Sequence, residues 1–176
     1  MELDQIPLDS LTLPVHRVWE NDWFLLTCGD YASRHFNTMT VAWGGLGIMW
    51  GKPIAMVVVR PQRYTHEFTE RYGDFTLCSF PRRFRAALNL LGSTSGRQGD
   101  KIGKSGLTPC AAESVRSPAF AEAVLVLSCR KIYRYPIDPA GFLDPSIAAN
   151  YPSRDYHTMY FGEVLAARGK AEHAGR

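Results

Sequence analysis

The chain has 176 residues and a formal net charge of +3, and one domain of this length can fold without disulfides or metal. Apolar residues make up 45% of it and charged residues 21%, which excludes a disordered chain, a collagen-like repeat and a disulfide-rich miniprotein. The weak, dispersed positive charge argues against a nucleic-acid partner, because such proteins carry a clustered basic face. We therefore expect a single domain over residues 1–176.

No segment reads as a signal peptide or a membrane span. The first ten residues are acidic where a signal peptide is basic, and the most apolar stretch, 46–59, is interrupted by Lys52 and Pro53. A spanning helix needs about 20 apolar residues. We expect a cytoplasmic protein with no membrane partner, and reduced cysteines too widely spaced for a zinc site. The cysteines are Cys28, Cys78, Cys110 and Cys129.

Seven runs rich in β-branched and aromatic residues predict strands. In chain order they are 15–19, 23–28, 38–43, 54–59, 74–80, 123–133 and 156–166. Because strands outnumber helices and do not alternate with them, a doubly wound parallel sheet is disfavoured. The pattern favours a mainly β fold, a mostly antiparallel barrel with a few flanking helices.

Two helices are predicted, over 64–72 and 81–91, and a shorter one is expected to begin at Asp100. The second is the stronger, since Pro81 suits a first turn and Gly92 can end a helix. Its Phe84, Leu88 and Leu91 fall on one face. The rest of 91–109 is rich in glycine and serine and is expected to be loop. The polar tail over 168–176 is expected to fray.

Three segments carry the candidate chemistry. The first, 37–45, reads NTMTVAWGG and places small polar groups and two glycines beside Trp43. Glycine lets a flat ligand approach the backbone, because no Cβ is in the way. An ordinary strand and turn explains the segment equally well.

The second segment, 59–65, has Arg60 and Arg63 three apart at the end of a strand, followed by Thr65 at the expected start of a helix. Arginine forks and the free N–H groups of a helix N-terminus both favour phosphate. A solvated basic loop with Thr65 as N-cap is the alternative. The third segment, 75–81, ends in Ser79, which either faces a ligand or caps the next helix.

The usual catalytic motifs are absent. The sequence has no GxSxG elbow and no Walker A loop, and Gly44-Gly45-Leu46-Gly47 does not match the GxGxxG fingerprint of dinucleotide-binding domains. His66-Glu67 begins like HExxH, but the second histidine is missing.

Taken together, the segments resemble the flavin reductase-like family, whose members include flavoredoxin. The resemblance spans about 23–164 and is carried by NTMTVAWGGLGIMWGKP (37–53), VRPQRYTHEF (59–68), DFTLCSF (74–80), SGRQGDK (95–101), GLTP (106–109), FLDP (142–145) and DYHTMYFGEV (155–164). It implies an FMN-binding split β-barrel and a homodimer with the flavin near the subunit interface.

The resemblance also implies roles for individual residues. Asn37, Thr38, Met39 and Thr40 would line the flavin ring and ribityl chain, with Trp43 and Gly44 beside them. Arg60, Gln62, Arg63, Tyr64 and Thr65 match the phosphate-binding turn, and Ser79 and Phe80 match a strand end facing the cofactor. Lys101 would add positive charge, and His157 would face the ring or the substrate.

The implied function is that of an FMN-dependent oxidoreductase. It would take hydride from NADH or NADPH and pass electrons to free flavin, a ferric chelate or a partner protein. No protein group is expected to act as catalytic acid or base, because the cofactor carries the redox chemistry. The alternative is a non-enzymatic FMN-binding electron carrier that a partner protein reduces.

Overall fold

An antiparallel sheet forms the body of the protein, as the sequence predicts. A computed structural model describes residues 3–175. Its strands run in the order β3-β2-β6-β9-β10-β5-β4, with β1 on β10 and with β7 and β8 paired separately. The strands are β1 (Asp4–Ile6), β2 (Phe24–Asp30), β3 (His35–Val41), β4 (Gly44–Met49), β5 (Lys52–Val59), β6 (Asp74–Ser79), β7 (Pro109–Cys110), β8 (Ala119–Phe120), β9 (Leu125–Pro136) and β10 (Thr158–Gly169).

Short helices flank the sheet. The α-helices are α1 (Val15–Arg17), α2 (Tyr64–Arg71), α3 (Arg85–Ser93) and α4 (Lys101–Ser105). Helix α4 begins where the sequence predicts, because the Asp100 carboxylate accepts a hydrogen bond of 2.8 Å from the Gly103 N–H. Within residues 3–175, no helix is long and apolar enough to cross a membrane.

The two faces of the sheet bury two apolar clusters. One contains Phe24, Leu26 and Tyr160, and the other contains Leu25 with Leu88 and Leu91 of α3. Neighbouring residues of β2 therefore enter different clusters, as the alternation of a strand requires. Strands β2 and β6 consequently lie inside the protein, and β3 forms the outer strand at one end of the sheet.

The predicted strand over 15–19 is wrong, because this segment is helical. Helix α1 continues into a π-helical turn over Val18–Asp22. Val18 and Trp19 are both buried, and the Trp19 ring lies 4.9 Å from that of Phe24. A strand would point these neighbours to opposite faces, so packing outweighs the β propensity of the run.

The predicted fraying of 168–176 also differs from the structure, within the residues described. Residues 168 and 169 continue β10, and Ala171–His173 form a 3-10 turn. The Thr12 N–H donates to the His173 carbonyl at 2.9 Å, and Gly175 donates to Ser10 at 2.5 Å. The N-terminal segment thus supplies partners for the polar tail. Residue 176 lies outside the described residues.

Strand β4 is absent from the prediction because its sequence is rich in glycine. It pairs with β5 through a tight turn in which Trp50 and Gly51 have φ angles of 52° and 68°. Two left-handed residues are the requirement of a type I′ hairpin. At Gly44, a Cβ would lie 2.4 Å from the Met56 carbonyl oxygen and 2.4 Å from the Trp19 ring.

Candidate functional site

The N-terminal end of α2 is joined to the outer strand of the sheet. The Asn37 side chain of β3 donates a hydrogen bond of 2.8 Å from Nδ2 to Oγ1 of Thr65, and both residues are buried. Helix α2 begins at Tyr64 with Arg63 as its N-cap, so Thr65 lies in the first turn and is not the cap. Gly96 packs on this junction, where a Cβ would lie 2.6 Å from Asn37 Oδ1.

Three cationic side chains converge on this junction. Lys101 is buried and donates from Nζ to the Leu91 carbonyl at 2.9 Å and the Thr94 carbonyl at 3.0 Å. Arg63 donates to the carbonyl of Gly92. Arg97 donates to the Gln62 carbonyl at 3.1 Å, and its guanidinium lies 4.9 Å from the Tyr64 ring centroid. We call Asn37, Arg63, Thr65, Arg97 and Lys101 the α2 cluster.

The α2 cluster carries more positive than negative charge. Burial, followed by the charge of Arg63, lowers the pKa of Lys101 to about 8. Burial and the neighbouring Arg60 also lower the pKa of Arg63. Glu67 pairs with Arg97, whereas Arg63 and Lys101 form no ion pair within residues 3–175. A dianion would relieve this repulsion and gain charge-assisted hydrogen bonds.

Arg60 and Gln62, which the sequence assigns to the same turn, bind another part of the chain. Arg60 donates to Asp155 Oδ2 at 2.7 Å and to the Asn150 carbonyl at 2.8 Å. Gln62 donates to the same Asp155 carboxylate. The hydrogen bond from Arg60 is the main reason that the pKa of Asp155 is lowered. Both side chains therefore anchor the segment that precedes β10.

The polar side chains of β3 are bonded within the protein. Thr38 Oγ1 lies 2.9 Å from Thr27 Oγ1 and donates to the Leu26 carbonyl at 3.0 Å. Thr40 donates to the Leu88 carbonyl at 2.5 Å, and Met39 is part of the core. Since β3 is an outer strand, its outward N–H and C=O groups have no strand partner among the described residues. Any ligand at this edge would meet the β3 backbone.

Trp43 and His157 form a separate aromatic contact. The Trp43 ring is half-exposed and lies 5.3 Å from the His157 ring. His157 is buried, with Nδ1 2.8 Å from the Tyr151 hydroxyl. Burial, and then the charge of Arg60, lowers the pKa of His157 to about 4. The imidazole is therefore neutral near pH 7.

Ser79 and Phe80 have other neighbours than the α2 cluster. Ser79 is the last residue of β6, and α3 begins only at Arg85, after a 3-10 turn over Arg82–Phe84. Phe80 is buried between the rings of Phe84 and Phe120, each 6.1 Å away. Ser79 therefore does not cap α3.

Arg97 is the residue of the cluster that the sequence reasoning missed. It lies in the same glycine-rich SGRQGDK stretch as Lys101. An arginine in such a glycine-rich loop is the sequence feature that could have suggested a role in the site, but only the fold brings Arg97 to Tyr64. The structure thus brings together Asn37, Arg63, Tyr64, Thr65 and Lys101, as the sequence suggests, and adds Arg97.

Residues 22–176 match the family model described as the flavin reductase like domain. The chain belongs to this family. No functionally curated protein matches the sequence.

Solved structures give the same fold. An FMN-binding domain of a flavin reductases-like enzyme from Shewanella baltica is 18% identical with a TM-score of 0.69, over 96% of this chain and 78% of that chain. Flavoredoxin of Desulfovibrio vulgaris is 24% identical with a TM-score of 0.66, over 93% and 74%. An NADH:FAD oxidoreductase from Streptomyces globisporus is 17% identical with a TM-score of 0.65, over 88% and 78%. This chain thus adopts the split β-barrel fold.

Proposed function

We propose that this family member is an FMN-dependent oxidoreductase that accepts hydride from NADH or NADPH. The observation that carries the proposal is the α2 cluster, in which Arg63 and Lys101 have no carboxylate partner within residues 3–175 and lie beside the edge of β3 that pairs with no other strand. A phosphate monoester on a flat heterocycle suits this combination, because the phosphate pairs with cations and the ring edge with backbone groups. The FMN-binding neighbour from Shewanella baltica supports the choice of flavin.

The chain's own residues would bind and orient the cofactor. Arg63, Arg97 and Lys101 would hold the phosphate together with the first N–H groups of α2. The backbone of β3 would hold the ring edge. The half-exposed Trp43 would shield the ring from water. Bound FMN supplies the hydride-accepting chemistry, and the NADH:FAD oxidoreductase neighbour supports a nicotinamide donor.

His157 would act as a positioning residue. It is buried, its Nδ1 lies 2.8 Å from the Tyr151 hydroxyl, and its ring lies 5.3 Å from that of Trp43. A neutral imidazole in this place supports the Trp43 ring and does not act as a general acid near pH 7. The proposed site is centred on the α2 cluster, so Ser79 and Phe80 are not assigned to it.

An anaerobic absorption spectrum tests the proposal. Purified protein is titrated with FMN, and NADH and then NADPH are added. We expect a bound-flavin spectrum that bleaches with at least one nucleotide. Protein that does not bind FMN would contradict the site, and bound FMN that neither nucleotide bleaches would contradict the donor.

Arg63→Ala tests the phosphate assignment. Loss of one charge-assisted hydrogen bond should weaken FMN binding by about 1.5–3 kcal/mol. The same substitution should weaken the binding of riboflavin, which lacks the phosphate, much less. Arg116→Ala is the matched control, because Arg116 is exposed and outside the cluster. Unchanged FMN affinity in Arg63→Ala would remove this residue from the site.

An electron carrier is the second candidate. It is favoured by the lack of a GxGxxG nucleotide motif in the sequence, although nicotinamide can stack on a flavin without a separate nucleotide-binding domain. Reduction of the bound flavin by a partner protein, with no response to NADH or NADPH, would select this candidate.

We also propose that the protein is a homodimer, as the family resemblance implies. Strands β9 and β10 and the β4–β5 turn present an aromatic face made of Trp50, Tyr133, Tyr135 and Phe161. The Trp50 ring lies 5.7 Å from that of Tyr133, which lies 5.8 Å from that of Phe161. Trp50 and Tyr133 are 57% and 44% exposed. Contiguous exposed apolar surface of this kind is typical of an interface.

A further inference from the structure

A cavity opens where β6 ends, and it shares no residue with the α2 cluster. Its volume is about 290 Å³, and Ser79 and Phe80 form part of its wall. The remaining wall includes Arg17, Arg82, Lys170 and His173. A neighbouring cavity of about 370 Å³ shares Asp22, Phe80, Pro81 and Arg82 with it. We call the cavity of about 290 Å³ the arginine cavity.

The arginine cavity is strongly cationic. Arg17, Arg82, Arg83 and Lys170 line it, against the two carboxylates of Asp22 and Glu172. Asp22 is engaged, since its Oδ2 lies 3.3 Å from Arg17 Nε. Arg82, Arg83 and Lys170 form no ion pair within the described part of the chain. Three cations with no carboxylate partner within residues 3–175 therefore line one small space.

A buried imidazole nitrogen in the same wall also lacks a partner. Nε2 of His173 is buried and makes no hydrogen bond with any described residue, and the nearest carboxylate oxygen, Glu172 Oε1, is 3.8 Å away. A buried polar group left unpaired destabilises the folded protein. Nε2 has almost no solvent-accessible surface, so it adds to the polar character of this wall without itself contacting a ligand in the cavity.

We infer that the arginine cavity binds a small organic anion that carries a phosphate or carboxylate group. Arginine forks match the oxygens of both groups. Phe80 and Val18 add an apolar wall for the rest of the molecule. The volume is near the lower limit of the roughly 300–1,000 Å³ of small-molecule pockets, which selects a compact ligand over a dinucleotide.

Sequence position agrees with this assignment. Pro81 leads into the 3-10 turn that carries Arg82 and Arg83, so two adjacent arginines lie just beyond the end of β6. Both are exposed, and Arg83 lies 4.8 Å from the Phe84 ring centroid. Lys170 comes from the residue after β10 and is held by a hydrogen bond of 3.1 Å from its N–H to the Val124 carbonyl. The cations thus arise from two distant parts of the chain.

Calorimetric titration of the FMN-loaded protein tests the inference, since FMN would already occupy the α2 cluster. The probes are inorganic phosphate and malonate, each at constant ionic strength set with chloride. We expect saturable binding of at least one probe at one site per chain. Binding of phosphate alone would assign a phosphate-bearing ligand, and binding of malonate alone a carboxylate-bearing one.

The variant Arg82→Gln/Arg83→Gln should weaken that binding at least about tenfold, because two charge-assisted contacts are lost. Lys104→Gln/Arg116→Gln removes the same charge from exposed positions elsewhere and should leave it unchanged. Lack of saturable binding by both probes, or equal weakening in the two variants, would overturn the inference. If the protein does not bind FMN, the same titrations in an Arg63→Gln background test the cavity independently of the proposed function.

Discussion

Lys101 is a buried cation whose hydrogen bonds go to two carbonyl oxygens, Leu91 and Thr94, and not to a carboxylate. Its pKa is lowered to about 8, first by burial and then by Arg63. A bound phosphate dianion would favour the protonated form. FMN affinity should therefore fall as pH rises through 8, by about tenfold between pH 7 and pH 9.

Fluorescence titration with FMN across this pH range measures the effect. Lys101→Arg keeps the positive charge and should remove most of the pH dependence, and riboflavin should show little of it. The same pH dependence in Lys101→Arg and in the wild type would contradict the role of Lys101.

His157 makes stability depend on pH. Its pKa is about 4 in the folded protein, below the ordinary value of 6.5, chiefly because of burial. The unfolded chain then binds the proton more readily, so the contribution is present above about pH 6.5 and is lost as pH falls toward 4. Between pH 7.5 and pH 5 the free energy of unfolding should fall by about 2 kcal/mol from this group.

Urea unfolding at the two pH values measures this loss. His157→Gln should reduce the pH dependence, whereas His16→Gln, at an exposed position, should not. An unchanged pH dependence in His157→Gln would assign the effect to other groups.

At the scale of elements, packing around the β4–β5 hairpin explains why position 44 requires a glycine. The sequence treats this glycine as a place for a flat ligand, but a Cβ here would lie 2.4 Å from both the Met56 carbonyl oxygen and the Trp19 ring. Gly44→Ala should lower the free energy of unfolding by about 1–3 kcal/mol.

Gly45→Ala is the matched control, because nothing lies within 4 Å of a Cβ at that position. Urea unfolding should separate the two variants. Equal stability of both would mean that the hairpin shifts to accommodate the methyl group.

At the scale of the whole molecule, the proposed homodimer would form through the aromatic face made of Trp50, Tyr133, Tyr135 and Phe161. Tyr133→Arg should convert the dimer to a monomer, since a charge would be buried without a partner. Tyr31→Arg is the control, because Tyr31 is 38% exposed but lies in the β2–β3 turn. Light scattering measures the mass, and a monomeric wild type would contradict the dimer.

Local patterns were enough to predict α2, α4 and the antiparallel character, because turn residues, helix signals and strand alternation act over a few positions. Local patterns failed where contacts with residues distant in the sequence determine the local conformation. Trp19 is helical because it packs on Phe24 and the β4–β5 hairpin. Residues 169–175 are ordered because Ser10 and Thr12 bond them.

The sequence by itself determined the family, the class of fold and most of the cations that we propose bind phosphate. Only the tertiary structure decided which of the candidate residues lie in the α2 cluster and which contact other parts of the chain. It brings Arg97 to the α2 cluster, pairs Arg60 with Asp155, and places Ser79 and Phe80 in the arginine cavity. The physical reason is that charge pairing and burial depend on distances between residues far apart in the chain, which a one-dimensional pattern does not contain.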